Sequence, residues 1–316
     1  MFNPPFYLQN KHIQTLFPTV FKKNPLVDFE QEIFVLSDGD FLEPFWLNKD
    51  LSKPIVILLH GLGGSYRSPY IPSLMQALSQ NGFSPVLMHF RGCGTKPNNT
   101  KRSYHSGDTQ DLREFLESLH VKQKELYAIG FSLGANVLLK YLGEEKEHSL
   151  ISKAVAVSTP FKLDICADEI NKGFSKIYQN HLLKDLKPLL AQKAKQFDIG
   201  LSQQQIQNIR TFWEFDELYT APIHGFKDVY DYYNRSSSFG YLRSIQTKTL
   251  LIHAQDDPFM NKNVIPTKND LSPTTTLELN RYGGHVGFIE GNFQKPIYWI
   301  DKRVVAYLKE DEPLLN

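Results

Sequence analysis

The sequence predicts an α/β fold: a mostly parallel, doubly wound sheet that carries a largely helical insertion. Three observations predict it. Apolar, β-branched runs such as Ile55-Val56-Ile57-Leu58-Leu59 read as strands buried on both faces. These runs alternate with segments of helical spacing, the order that builds βαβ crossovers. The alternation breaks from about Pro160 to Ile245 and then resumes.

Taken in order, residues 26–47, with Asp38-Gly39 at a turn, read as a leading hairpin. The first buried strand ends in His60-Gly61-Leu62-Gly63-Gly64. "SLMQALSQNG" has helical spacing with a stop at Gly82, and "FSPVLMHF" is the next strand. In "DTQDLREFLESLH", Leu112, Phe115, Leu116 and Leu119 share one helical face. "KELYAIG" then supplies a strand, "LGANVLLKYLG" a helix and "KAVAVS" a further strand. The helical, charged and aromatic stretch that follows reads as a cap, so the chain divides into core (1–159), cap insertion (160–245) and core (246–316). "KTLLIHAQDDPF" restores the strand pattern, and "KPIYWIDKRVVAYLKE" reads as a closing helix.

Composition narrows the function classes. At 316 residues the chain can bury a sizeable core, so size places no bar on an enzyme. Its 35 Lys and Arg balance 34 Asp and Glu, with no basic stripe for nucleic acid. The two cysteines, Cys93 and Cys166, lack metal-binding spacing and suit a reducing cytoplasm. The N-terminus, "MFNPPFYLQNKHIQ", has prolines where a signal peptide needs an unbroken apolar stretch, and no later run approaches about 18 apolar residues. The expectation is an unexported protein without a transmembrane segment. Peripheral work at a membrane surface stays open, and the oligomeric state is not readable.

The chemistry starts at Gly130-Phe131-Ser132-Leu133-Gly134, a G-x-S-x-G between a strand and a helix, where the turn lifts the serine hydroxyl clear of the backbone. A serine becomes a nucleophile only beside a base that a third group orients. Downstream strand ends offer both: Asp257 in "AQDDPF", preferred over Asp256 because it lies farther into the turn, and His285 after two glycines. The chain order Ser132, Asp257, His285 places all three at one edge of the sheet. Backbone N–H groups of Leu62, in the loop after the first buried strand, and of Leu133, after the serine, are the expected oxyanion donors. The two glycines before His285 are expected to let its imidazole approach Ser132.

Other groups read as structural. His60 packs at a strand end; Cys93 sits in a tight glycine loop; Asp216, Glu217 and Asp228 read as a solvated helical face. Among the insertion's aromatics, Phe212, Trp213, Tyr219, Phe226, Tyr230, Tyr232 and Tyr233 are mostly core, some lining an acyl pocket. Phe2, Phe6, Phe17 and Phe21 are expected to pack onto the domain rather than to dock on a membrane.

The ordered set "NKHIQTLFP", "HGLGGS", "FRGCG", "YHSGDTQDL", "GFSLGAN", "FDELYTAPIHGF", "DYYNRSSS", "AQDDPF" and "GGHVGF" resembles the YheT-like α/β-hydrolases, bacterial relatives of eukaryotic abhydrolase-domain esterases and phospholipases. One departure is Asp108, where glutamate is as common. The resemblance implies an α/β-hydrolase fold and hydrolysis of small-molecule or lipid-like esters, with nucleophile, acid and base at Ser132, Asp257 and His285 and no metal or organic cofactor. Thioester or amide hydrolysis by the same groups, and ligand binding without catalysis, are the alternatives.

Overall fold

The computed structural model describes residues 2–22, 24–121 and 125–310. The chain opens with helix α1 (Lys11–Phe21), capped by the Asn10 side chain on the N–H groups of His12 and Ile13. Short strands follow: β1 (Glu30–Gln31), β2 (Phe34–Val35), β3 (Phe41–Leu42) and β4 (Pro44–Trp46). β2 and β3 form a hairpin, with Gly39 at φ +83° in its turn. The buried Arg91 holds that turn down, donating to Asp38 and Asp40 from one nitrogen and to both oxygens of Asp111 from the others.

The strand and helix alternation is present: β5 (Ile55–Leu59), α2 (Ile71–Gln80), β6 (Ser84–Met88), α3 (Gln110–His120), β7 (Leu126–Phe131), α4 (Leu133–Glu145) and β8 (Ile151–Val157). Six α-helical segments then intervene, α5 (Leu163–Ile170), α6 (Ser175–Gln196), α7 (Gln203–Asn208), α8 (Phe212–Phe215), α9 (Ala221–Ile223) and α10 (Val229–Ser236), together with a π-helical turn (Asp216–Thr220) and a 3-10 helix (Ser238–Ser244). β9 (Lys248–Ala254), β10 (Thr275–Asn280), β11 (Ile289–Gly291), β12 (Pro296–Tyr298) and α11 (Trp299–Lys309) complete the chain. The closing segment is thus not helical throughout. Pro296 to Tyr298 pair antiparallel with Ile289 to Gly291, and the helix begins only at Trp299.

The main sheet has eight strands in the order β1-β4-β6-β5-β7-β8-β9-β10. From β6 to β10 all neighbours are parallel; β4 and β1 add antiparallel at one edge. β5 through β7 are buried along their whole length, as continuous apolar runs require when helices cover both faces. One face packs residues of α3 and α4, and the other those of α2 and α11. The segments between β8 and β9 carry two apolar clusters of their own, one around Leu163, Tyr232 and Tyr233, the other around Leu183, Ile206 and Tyr219. Among the described residues, no helix is long and apolar enough to cross a membrane.

Candidate active site at the carboxyl edge of the sheet

Ser132 sits between β7 and α4 at φ 51°, a left-handed conformation that costs a non-glycine residue on the order of 1–3 kcal/mol. The surroundings impose it. The Ser132 N–H donates to the Val157 carbonyl at 2.9 Å, and its own carbonyl starts α4 by accepting from the Asn136 N–H. Both flanking glycines are required by close approach. A Cβ at Gly130 would lie 2.5 Å from the Ala135 Cα, and one at Gly134 would lie 2.5 Å from the Leu59 and His60 carbonyl oxygens.

The three sequence-predicted side chains meet. His285 Nδ1–H donates to Asp257 Oδ2 at 2.8 Å, leaving Nε2 to accept from the Ser132 hydroxyl at 2.9 Å. Asp257 is buried, and its other oxygen accepts from the Phe259 N–H at 2.9 Å. The Phe259 ring lies flat against the imidazole, 4.0 Å between centroids and 12° between planes. Asp256 points elsewhere: one oxygen accepts from the Gly284 N–H, and burial pushes its carboxyl up to about 6.

The loop after β5 brings Leu62 to the same place. Gly61 N–H donates to the Tyr70 hydroxyl and Gly63 N–H to the Tyr104 hydroxyl, each at 2.9 Å, so the amides on both sides of Leu62 are held. Among the described residues no acceptor takes the Leu62 N–H itself. The Leu133 N–H opens α4, where first-turn amides have no partner within the helix. Tyr70 carries no sequence pattern that would have singled it out, and Tyr104, which opens the stretch "YHSGDTQDL", carries none that points to this bond.

The glycines before His285 have a different reason from the one expected. A Cβ on Gly283 would strike the Phe288 ring, and one on Gly284 would lie 2.6 Å from the Lys11 carbonyl oxygen. They admit Phe288 and the backbone of α1, not the imidazole. α1 lies directly on the His285 loop: the His285 N–H donates to Thr15 Oγ1 at 2.9 Å, and buried Gln14 bonds both the N–H and the carbonyl of Ile289. Asn10 as a cap was the available signal for this helix.

Ser132, His285, Leu62 and Leu133 open on one cavity of about 220 Å³, roofed by α5, α6 and the segment from Phe212 to Tyr233. Of the insertion's aromatics named from sequence, Phe212, Tyr219, Tyr232 and Tyr233 line it; Trp213, Phe226 and Tyr230 do not. His60 is fully buried, with Nδ1–H donating to the Gly61 carbonyl and Nε2 accepting from the Phe90 N–H. Burial, then the neighbouring His89, push it down to about 3, so it stays neutral as a structural group. Cys93 is free, and burial pushes its thiol up to about 12, against a nucleophilic role.

One expectation is corrected. Glu217 and Asp228 spend their carboxylates on helix ends, accepting from the Val229 and Asp231 N–H groups. Asp216 is half-buried and lines the cavity, with Oδ1 accepting from Thr220 Oγ1 at 2.6 Å and Oδ2 from the Tyr233 hydroxyl at 2.8 Å. It opens a π-helical turn over Asp216–Thr220, and the hydroxyls of Thr220 and Tyr233 hold its carboxylate there. The phenylalanines divide: Phe2 and Phe17 are buried, whereas Phe6 is 83% and Phe21 65% exposed.

Comparison with known proteins shows the family. Residues 54–292 match the family model described as alpha/beta hydrolase fold. The chain is 39% identical over 309 residues to "Putative esterase YheT" of Escherichia coli (strain K12), covering 95% of this chain and 90% of that protein. It is 32% identical over 273 residues to the monoacylglycerol lipase of Saccharomyces cerevisiae (strain ATCC 204508 / S288c), covering 83% of this chain and 60% of that one. The Pyrococcus furiosus esterase Pf2001 superposes with a TM-score of 0.58 at 21% identity, over 98% of this chain and 97% of that one, a likeness of fold. The chain belongs to the α/β-hydrolase fold family, within its YheT-like group of ester hydrolases.

Proposed function

We propose that the protein is a serine hydrolase that cleaves carboxylic esters through an acyl-enzyme intermediate. The observation that carries the reading is the line from Asp257 through His285 to the Ser132 hydroxyl, at 2.8 and 2.9 Å, on the wall of an apolar cavity. His285 Nε2 takes the Ser132 proton as Oγ attacks the ester carbonyl, and Asp257 holds the imidazole and stabilises its cation. The N–H groups of Leu62 and Leu133 hold the developing oxyanion. His285 then passes the proton to the leaving alcohol, and water activated by the same imidazole releases the acid.

Residues 160–245 act in this reading as the cap, whose Leu, Phe and Tyr side chains receive a short to medium acyl chain of a small-molecule or lipid-like ester. The lipase name of the yeast relative supports lipid-like substrates. Exposed Phe6 and Phe21 support peripheral contact with a membrane surface, and two free cysteines support a cytoplasmic setting.

Ser132→Ala should lower p-nitrophenyl ester turnover by on the order of 10⁴-fold or more, and a fluorophosphonate probe should label the wild type but not the variant. Unchanged turnover in the folded variant would refute the assignment. Parallel assays on matched esters, thioesters and amides separate the acyl classes the same three groups can attack.

A further inference from the structure

Asp216 stands out among the groups that line the cavity. It is the one carboxylate among the described lining residues. The cations on that wall are already taken. Arg91 is shared by Asp38, Asp40 and Asp111, and Lys193 donates to Asn98 Oδ1, the Thr100 carbonyl and the Arg102 carbonyl, three acceptors for three N–H groups. No cation pairs with Asp216 among the described residues.

Its oxygens each accept one hydroxyl, from Thr220 and from Tyr233. A carboxylate offers about four lone-pair sites, so acceptor capacity remains on the cavity side. The environment makes this expensive: burial pushes the carboxyl up to about 6 despite both hydroxyls. A leucine in the same apolar roof would carry no such cost. Asp216 opens a π-turn, a rare conformation frequently found at functional sites. A perturbed carboxyl in a cleft is a candidate for contact with ligand.

We propose that Asp216 is a substrate-binding residue that accepts a hydrogen bond from a hydroxyl of the ester, so that the cavity selects hydroxyl-bearing esters over wholly apolar ones of equal length. This rests on reading the cavity as the ester site. Phe212, Phe215, Tyr219 and Tyr232 line the same cavity, so an all-hydrocarbon ester would cover Asp216 without matching its free acceptor capacity. The hydroxyl can lie on the alcohol portion or on the acyl chain, and the choice of esters distinguishes the two.

The test compares kcat/KM of wild type and Asp216→Asn on three esters: ethyl decanoate, glyceryl monodecanoate and ethyl ω-hydroxydecanoate. The wild type should prefer one hydroxyl-bearing ester to ethyl decanoate: the glyceryl ester if the alcohol portion reaches Asp216, the ω-hydroxy ester if the acyl tail does. In Asp216→Asn that preference ratio should fall by about 10- to 100-fold, the value of a hydrogen bond to a charged group. An unchanged ratio in the folded variant overturns the proposal. So does a wild type that favours neither hydroxyl-bearing ester, whether or not the variant folds. Absence of turnover on all three, with Ser132 unlabelled by fluorophosphonate, would instead remove the hydrolase reading itself.

Discussion

Tyr70 and Tyr104 hold the loop of the proposed oxyanion donor Leu62 without belonging to the proposed catalytic set. Their hydroxyls take the amides of Gly61 and Gly63, and the Leu62 amide between them has no acceptor among the described residues. Preorganised donors are worth most when they need not reorient during reaction. Tyr70→Phe and Tyr104→Phe should therefore each lower kcat about 10-fold with KM little changed, and the double variant should lose more. Steady-state kinetics on a p-nitrophenyl ester checks this; an unaltered kcat in the double variant would show that the loop holds its shape unaided. Asp257→Asn tests the other side of the array. With the wrong tautomer of His285 favoured, kcat should fall by on the order of 10⁴-fold at neutral pH while Phe259 keeps the ring in place.

Among the elements, α1 matters beyond its length. It precedes the sheet in sequence yet supports the loop that carries His285, through Thr15 on the His285 N–H and Gln14 on Ile289. Gln14 is fully buried and also donates to the Leu8 carbonyl at 2.7 Å. Gln14→Ala would orphan one N–H and two carbonyls and open a void, which should cost about 3 kcal/mol of stability. Urea unfolding measures that loss. Gly287→Ala approaches the contact from the opposite side, since its Cβ would overlap the Gln14 carbonyl. Both variants should depress activity by loosening His285 even where the sheet stays folded, as near-ultraviolet circular dichroism set beside kcat would reveal.

For the molecule as a whole, buried titratable groups set the response to pH. Burial lowers the pKa of His60 to about 3 and that of His253 to about 4, and it also lowers His89, His105 and His224. A neutral imidazole kept from protonating contributes stability that is full above its unfolded value near 6.5 and is lost as pH falls toward the folded value. Buried carboxylates act in the opposite sense. Asp216 and Asp256, each raised to about 6, Asp108, raised to about 7 by burial and by Asp111, and Asp301, also raised by burial, contribute stability present below about 3.8 and lost as pH rises through their folded values. More imidazoles than carboxylates titrate in the window between, so Tm should fall as pH is lowered from about 7 to 4.5. Asp216→Asn should gain Tm relative to wild type between pH 5 and 8. Differential scanning calorimetry across that range tests both signs.

What the sequence determined by itself is whatever local pattern encodes. Continuous apolar runs marked the parallel strands, because a strand covered on both faces has no polar side to show. The G-x-S-x-G turn and the order Ser132, Asp257, His285 were legible because each lies at the end of such a run. The tertiary structure alone decided the rest: Thr15 beneath His285, 270 residues away in sequence, the tyrosines that hold the Leu62 loop, and Asp216 on the wall of the cavity. Those arrangements depend on which surfaces meet across the folded chain. Neither hydrophobic period nor residue spacing carries that information, because both describe neighbours along the chain and these contacts join segments far apart in it.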